Sequence, residues 1–308
     1  MAEGVVFGMQ LPVQSQSTIY ARPWEASAGV DALVQIARAC DSASFDYVAV
    51  CDHVAIPRAS SEAMSTSWWD TIATLSFLAA VTERVRLLSH VYVLPYRHPL
   101  MAAKAWATLD ALSGGRAILG VGAGHVAGEF AALGVPFEER GRLLDEAIDA
   151  VRAALADEFA SHKGEHWSFA DLGQRPRPVQ EHLPIWVGGS SKAAMRRAAE
   201  RGDGWLPQGP PEGGMAAGIA FVREHRAATR GADPITLGSL SGQLYVGDPG
   251  WDVGRCVQGS AEKIAGYLRT HRDLGVDQIQ VGFASRSAQE MCDQIAVFAA
   301  EVAPLVNQ

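Results

Sequence analysis

Cysteine is scarce: Cys40, Cys51, Cys256 and Cys292 are the only four in 308 residues. None stands in a CxxC pair or beside paired histidines. The pattern therefore suggests neither a zinc site nor a disulfide framework, and reduced thiols with no bound metal are the expectation. Long apolar runs are missing as well. The N-terminus, MAEGVVFGMQLP, has neither the basic start nor the extended apolar core of a secretory signal, and no later stretch approaches the length needed to cross a bilayer. A cytoplasmic protein with no membrane partner is expected. Basic runs are absent too. Lys and Arg number 26 against 34 Asp and Glu, a formal charge of −8, which argues against nucleic acid or an anionic membrane surface as a partner. An anionic cofactor would have to be met locally, by helix N-termini and a few cationic side chains.

What is present is ordinary globular composition, 48% hydrophobic and 19% charged, enough for a sizeable core. Short apolar runs alternate with amphipathic stretches, the pattern of repeated βα units around a parallel sheet. Eight runs read as strands: VVFGMQL (5–11), FDYVAV (45–50), RLLSHVYVL (86–94), RAILGVGAG (116–124), LPIWVGG (183–189), DGWLP (203–207), ITLGSLSGQLYVG (235–247) and VDQIQVGF (276–283). Between them DALVQIARACDSAS, TIATLSFLAAVT, LMAAKAWATLDALS, a long helix from near Glu139, SSKAAMRRAAERG and QEMCDQIAVFAAEVA read as helices. HKGEHWSFADL reads as a hairpin excursion, and the Gly- and Pro-rich QGPPEGGMAAG (208–218) as an active-site loop. The expectation is one domain over 1–308, a (β/α)8 TIM barrel with insertion loops at its C-terminal mouth.

In such a barrel the C-terminal ends of the strands converge, so polar or glycine residues that end apolar runs are site candidates. The first strand ends on Gln10, the second on Cys51, Asp52 and His53, the fourth on Gly122, Ala123, Gly124 and His125, and the fifth on Gly188, Gly189 and Ser190. Adjacent Asp52 and His53 point opposite ways on extended backbone and cannot pair with each other, so one of them faces the reacting atoms. An imidazole there can pass a proton near neutral pH; the plainer alternative is a loop histidine capped by a carboxylate. Ser89 and His90, inside the third run, read either as satisfied polar groups of the barrel wall or as a bulge. Trp68 and Trp69 either lid the mouth or pack it.

GVGAGH lacks the third glycine of the dinucleotide fingerprint, which disfavours a Rossmann domain. Gly122 and Gly124 are better explained by close approach of backbone to a flat ring, with a tight turn as the competing explanation, strongest for Gly120. VGGSSKAA places free N–H groups before a helix, a generic anion cradle, in which Ser190 or Ser191 can equally serve as an N-cap. Lys192, Arg196 and Arg197 read as a solvated helix face.

Taken together, the DH after strand two, the segment from RVRLLSHVYVLPYRHP to GVGAG, EFAALGVPFEERGRLLDEAI and LPIWVGGSSKAAMRRAAERGDGW resemble the bacterial-luciferase-like superfamily over nearly the whole chain. The resemblance implies a barrel that binds coenzyme F420, or alternatively FMN, at its C-terminal mouth, and the wording of CDH, LPYRHP and GVGAGH is most similar to the F420-dependent branch. It implies that His53 lies beside the central ring as proton donor or hydrogen-bond partner, and that a non-prolyl cis peptide falls at His90–Val91. Gly122 and Gly124 would pass under the polyol chain, and Gly188, Gly189 and Ser190 would meet the polar tail. Asp52, Ser89, His90, Val91 and Ala123 complete the expected cofactor set, with Gln10 and His125 on the substrate side. His125 stands where relatives often carry Trp or Glu, which leaves the substrate open. The implied activity is hydride transfer between F420 and a small organic molecule by a homodimer. An FMN-dependent monooxygenase and a non-catalytic flavin-binding barrel are the alternatives.

Overall fold

Runs rich in β-branched and aliphatic residues close into one parallel sheet in a computed structural model that describes residues 4–18 and 20–308. The reading of the extreme N-terminus in part concerns residues outside that range. The barrel strands are β1 (Val6–Gln10), β2 (Tyr47–Val50), β3 (Arg86–Ser89), β4 (Ala117–Gly122), β5 (Ile185–Gly188), β6 (Gly204–Leu206), β7 (Thr236–Val246) and β8 (Gln278–Phe283). Each lies within one of the eight expected runs. They pair in sequence order, and β8 returns to β1 with Val6 opposite Gln278, so no edge is left open.

Alternation along the strands sorts side chains into two layers. Tyr47, Ala49, Leu88, Ile118, Trp186 and Leu206 fill the barrel interior. Met9, Val48, Leu87, Leu119, Val187 and Ile279 face outward into the continuous core beneath the helices. Large interior rings are accommodated by glycines on neighbouring strands: a Cβ on Gly8 would overlap the Tyr47 ring, and one on Gly204 would meet Trp186.

The helices that position the mouth are α1 (Val30–Ser42), α2 (Thr71–Val81), α3 (Pro99–Ser113), α4 (Ala127–Ala132), α5 (Arg140–Ala156), α6 (Lys192–Arg201), α7 (Gly214–Arg230), α8 (Ala261–Arg272) and α9 (Ala288–Val297). Asp70, Ser191, Ser260 and Ser287 cap α2, α6, α8 and α9 by accepting from the third residue onward, each such cap stabilising by about 1 kcal/mol. The excursion over HKGEHWSFADL is an antiparallel hairpin, Phe159–Lys163 with Ser168–Gly173, outside the barrel as expected. The Glu146 carboxylate holds its turn by accepting from the backbone of Glu165, His166 and Trp167.

Two expectations are corrected. The 208–218 segment is not all loop, because α7 starts at Gly214 behind Gly213, which is left-handed at φ 84°. Arg197 is not on a solvated face: it is 4% exposed and paired to Asp145 at 2.6 Å, because α6 lies against α5, whereas Lys192 and Arg196 are exposed.

The loop after β7 is strapped to α9. Glu290 accepts from Tyr245 Oη, Trp251 Nε1 and Arg286, whose guanidinium lies 5.2 Å from the Trp251 ring. The Arg286 hydrogen bond outweighs burial and draws the Glu290 carboxyl down to about 2, from 4.5. A depressed carboxyl stabilises the fold above its unfolded value, so this contribution is complete above pH 4.5 and fades as pH falls toward 2. Glu290→Gln is expected to speed amide exchange across residues 247–256 at neutral pH and to flatten the acid dependence of that exchange; equal protection in both proteins would rule the strap out.

Candidate active site

His53 leaves the end of β2 and turns into the mouth, where its Nδ1 lies 2.7 Å from Oε2 of Glu129, a residue of α4. The other carboxylate oxygen accepts from the backbone N–H groups of Val54 at 2.6 Å and Ala55 at 3.1 Å. Tyr96 Oη donates to Oε2 at 3.2 Å. Burial at 1% exposure pushes the Glu129 carboxyl up, but the His53 hydrogen bond and the two backbone N–H groups hold it below the usual carboxylate range. Burial and the same carboxylate push the Tyr96 hydroxyl well above its ordinary value, so it stays a donor. The Trp68 ring stands 4.3 Å from that of His53, pinned by Nε1 donating to Met64 O at 3.1 Å. On another side His125 meets His53 edge-on at 5.6 Å. Burial first, and His53 second, lower the pKa of His125 and favour its neutral form.

Asp52 points the other way, as adjacency requires. It is 4% exposed, takes a bidentate pair from Arg97 at 2.6 and 2.8 Å, and accepts from Val93 N at 2.8 Å. Arg97 in turn lies over the Tyr92 ring at 4.1 Å. Asp52 thus ties the end of β2 to the segment after β3. The His90–Val91 peptide in that segment is cis, at the bond that the resemblance implied. His90 is 3% exposed; its Nε2 donates to Leu206 O at 3.1 Å and its Nδ1 accepts from Gln280 Nε2 at 3.3 Å. Burial lowers its pKa to about 4, so it is a neutral wall group. Ser89 is likewise satisfied in the wall, donating to Gly120 O and accepting from Gly120 N.

The glycines have a packing reason that the sequence did not reveal. Gly120 lies within β4 rather than in a turn, and a Cβ there would strike the Ser89 carbonyl. A Cβ on Gly122 or Gly188 would overlap the Val91 methyls, and one on Gly124 would press on Val93 and Phe130. Val91 therefore forms an apolar shelf seated between β4 and β5, and Ala123, one residue past β4, is half-buried. Gly189 is left-handed at φ 93°, Ser190 Oγ donates to Gly209 O at 2.5 Å, and Ser191 is the N-cap of α6. The roles of the two serines, open in the sequence, are thus divided. Gln10 Nε2 donates to the Cys51 sulfur at 3.2 Å, and burial raises that thiol to about 11, so it is not a thiolate. Gln208 Nε2 reaches the His90 carbonyl at 3.4 Å.

Sequence reasoning missed Glu129, Tyr96, Arg97 and Gln208. Glu129 begins the EFAALG block, but its partner lies 76 residues earlier and no local spacing signals the pair. Among the described residues no group of three His, Cys, Asp or Glu side chains could hold a metal ion, and no helix is long and apolar enough to cross a membrane.

The mouth fits a flat ring with an anionic tail. Val91 supplies an apolar shelf, and the capped N-terminus of α6 supplies N–H groups and a favourable dipole. Gln243 Oε1 and Ser285 Oγ, near the mouth ends of β7 and β8, are buried without a partner among the described residues.

The sequence profile described as luciferase-like monooxygenase matches residues 5–255. An uncharacterized protein of Mycobacterium tuberculosis is 31% identical over 220 residues, 68% of this chain and 76% of its own. An F420-dependent hydroxymycolic acid dehydrogenase of the same organism is 33% identical over 71% of this chain and 60% of its own. An FMNH(2)-dependent dimethylsulfone monooxygenase of Pseudomonas putida is 34% identical over 49% of this chain and 42% of its own. Among solved structures, a monooxygenase of Streptomyces bottropensis superposes with a TM-score of 0.82 over 97% of this chain and 99% of that one at 21% identity, a likeness of fold.

Proposed function

This chain belongs to the luciferase-like monooxygenase family, flavin- or F420-dependent oxidoreductases, and from that premise we propose that it transfers a hydride between coenzyme F420 and a small organic substrate. The observation that carries the reading is His53: its Nδ1 is engaged by a buried carboxylate, its ring is walled by Trp68 and His125, and its Nε2 has no partner among the described residues. That is a proton-handling group at the mouth of a barrel, with no metal cluster beside it among those residues. The F420-dependent relative is matched over more of the chain than the FMNH(2)-dependent one, which favours F420.

When bound, the coenzyme supplies the ring carbon that gives or takes the hydride. The chain's own residues bind and orient. Val91 would underlie the ring, and Gly188, Gly189, Ser190 and the α6 N-terminus would take the polar tail. His53 would hold or release the substrate proton at Nε2, while Gln10 and neutral His125 line the substrate side. Trp68 would keep water from the reacting atoms. The same reading includes a homodimer, which sedimentation would check.

Titration of the purified protein with F420 and separately with FMN, read by tryptophan quenching, tests the cofactor. Micromolar or tighter F420 binding with much weaker FMN binding is the expected result. The reverse preference, with oxygen consumed during turnover, would replace this reading by the FMN-dependent monooxygenase.

A further inference from the structure

We propose that Glu129 is a positioning residue that holds a proton on His53 Nδ1 and so leaves Nε2 as the nitrogen presented to the mouth. The consequence for turnover rests on the role given to His53 above; the tautomer does not.

The donors around Glu129 dictate the assignment. The backbone N–H groups of Val54 and Ala55 can only donate, and both are spent on Oε1. This orients the carboxylate and leaves Oε2 to face His53 Nδ1 at 2.7 Å and Tyr96 Oη at 3.2 Å. At 1% exposure with four such contacts the carboxylate is ionised and can only accept, so the proton of the short contact belongs to Nδ1. A ring flip would exchange Nδ1 for a carbon and leave a buried oxygen short of a donor, a loss of the kind that costs most in a desolvated site. Trp68 and His125 pack against the ring from two other directions, and the carboxylate adjacent in sequence, Asp52, is engaged by Arg97.

A plain structural tie between α4 and the loop at Val54 would need only the Oε1 half of this arrangement. Glu129→Gln separates the two roles. The amide oxygen must replace Oε1, because only an oxygen can accept from Val54 and Ala55. The amide nitrogen then faces His53 and donates to Nδ1, which drives the imidazole proton to Nε2, while the Tyr96 hydroxyl rotates to accept. The substitution keeps the packing and inverts the tautomer.

The test is long-range ¹H–¹⁵N correlation of the His53 ring in the full chain at neutral pH, with and without F420, for wild type, Glu129→Gln and Tyr96→Phe. The expected wild-type pattern is a proton on Nδ1, unchanged in Tyr96→Phe and displaced to Nε2 in Glu129→Gln. Turnover of Glu129→Gln should fall about 10²- to 10⁴-fold, the range for a misdirected general acid–base, with KM little changed. A bare Nδ1 in the wild type overturns the proposal by itself, even if the Gln variant fails to fold. The same tautomer in wild type and Glu129→Gln overturns it equally. An exchanged tautomer with undiminished turnover upholds the assignment for Glu129 and overturns the catalytic role of His53.

Discussion

His53→Ala is expected to lower the rate of hydride transfer by about 10²- to 10⁴-fold, the usual contribution of a positioned general acid–base, while F420 affinity stays close to that of the wild type. The selectivity of that loss follows from what remains. Without the imidazole, the Glu129 carboxylate keeps Val54 N, Ala55 N and Tyr96 Oη as donors, so no buried charge is stranded and the fold persists. The groups assigned to the cofactor, Val91 after β3 and the turn from Gly188 to Ser190 at the end of β5, belong to other parts of the mouth and are untouched. Stopped-flow single-turnover kinetics give the rate. Trp68, 4.3 Å from His53, gives the binding signal by fluorescence quenching. Added imidazole should restore part of the rate. Wild-type turnover in the alanine protein would remove His53 from the chemistry.

Asp52→Ala is expected to cost roughly 3–5 kcal/mol of stability, the cost of stranding one partner of a buried ion pair, and to lower Tm by about 10 °C. Two losses coincide. Arg97, with only 21% of its side chain exposed, would lose both short hydrogen bonds and keep the Tyr92 ring and a long contact to Val93 O. Val93 N would lose its acceptor inside the wall. These contacts join β2 to the segment that carries Val91, so F420 affinity should fall along with stability. The double variant Asp52→Leu with Arg97→Leu should recover much of the stability but not the affinity, because paired apolar groups avoid the stranded charge yet do not hold the segment. Thermal denaturation of the wild type, Asp52→Ala and the double variant decides it. A loss under about 1 kcal/mol in Asp52→Ala would mean that the pair is not what holds the segment after β3.

The eight strands were legible because each is a short apolar run bounded by turn residues, and period-two alternation is a local property of the chain. The start of α5 near Glu139 and the outlying hairpin were legible for the same reason. The start of α7 was not, since glycine and proline around 208–218 read as loop while Gly213, in the left-handed region, in fact opens a helix. Arg197 was misjudged because its burial depends on which face of α6 meets α5, a relation between two helices. Helices α7 and α8 went unremarked in the sequence.

By itself the sequence determined the barrel, its mouth, and the histidine at the end of β2, because each is encoded within a few consecutive residues by hydrophobic period and strand position. Resemblance located the cis bond at His90–Val91. Only the tertiary structure decided what those residues do for one another. It gave Asp52 to Arg97 rather than to the mouth, filled the space beside Gly122 and Gly188 with Val91, and brought Glu129 to His53 across 76 residues. Hydrogen bonds and close contacts are set by distances in space, and barrel closure creates distances between strands that no local spacing along the chain contains.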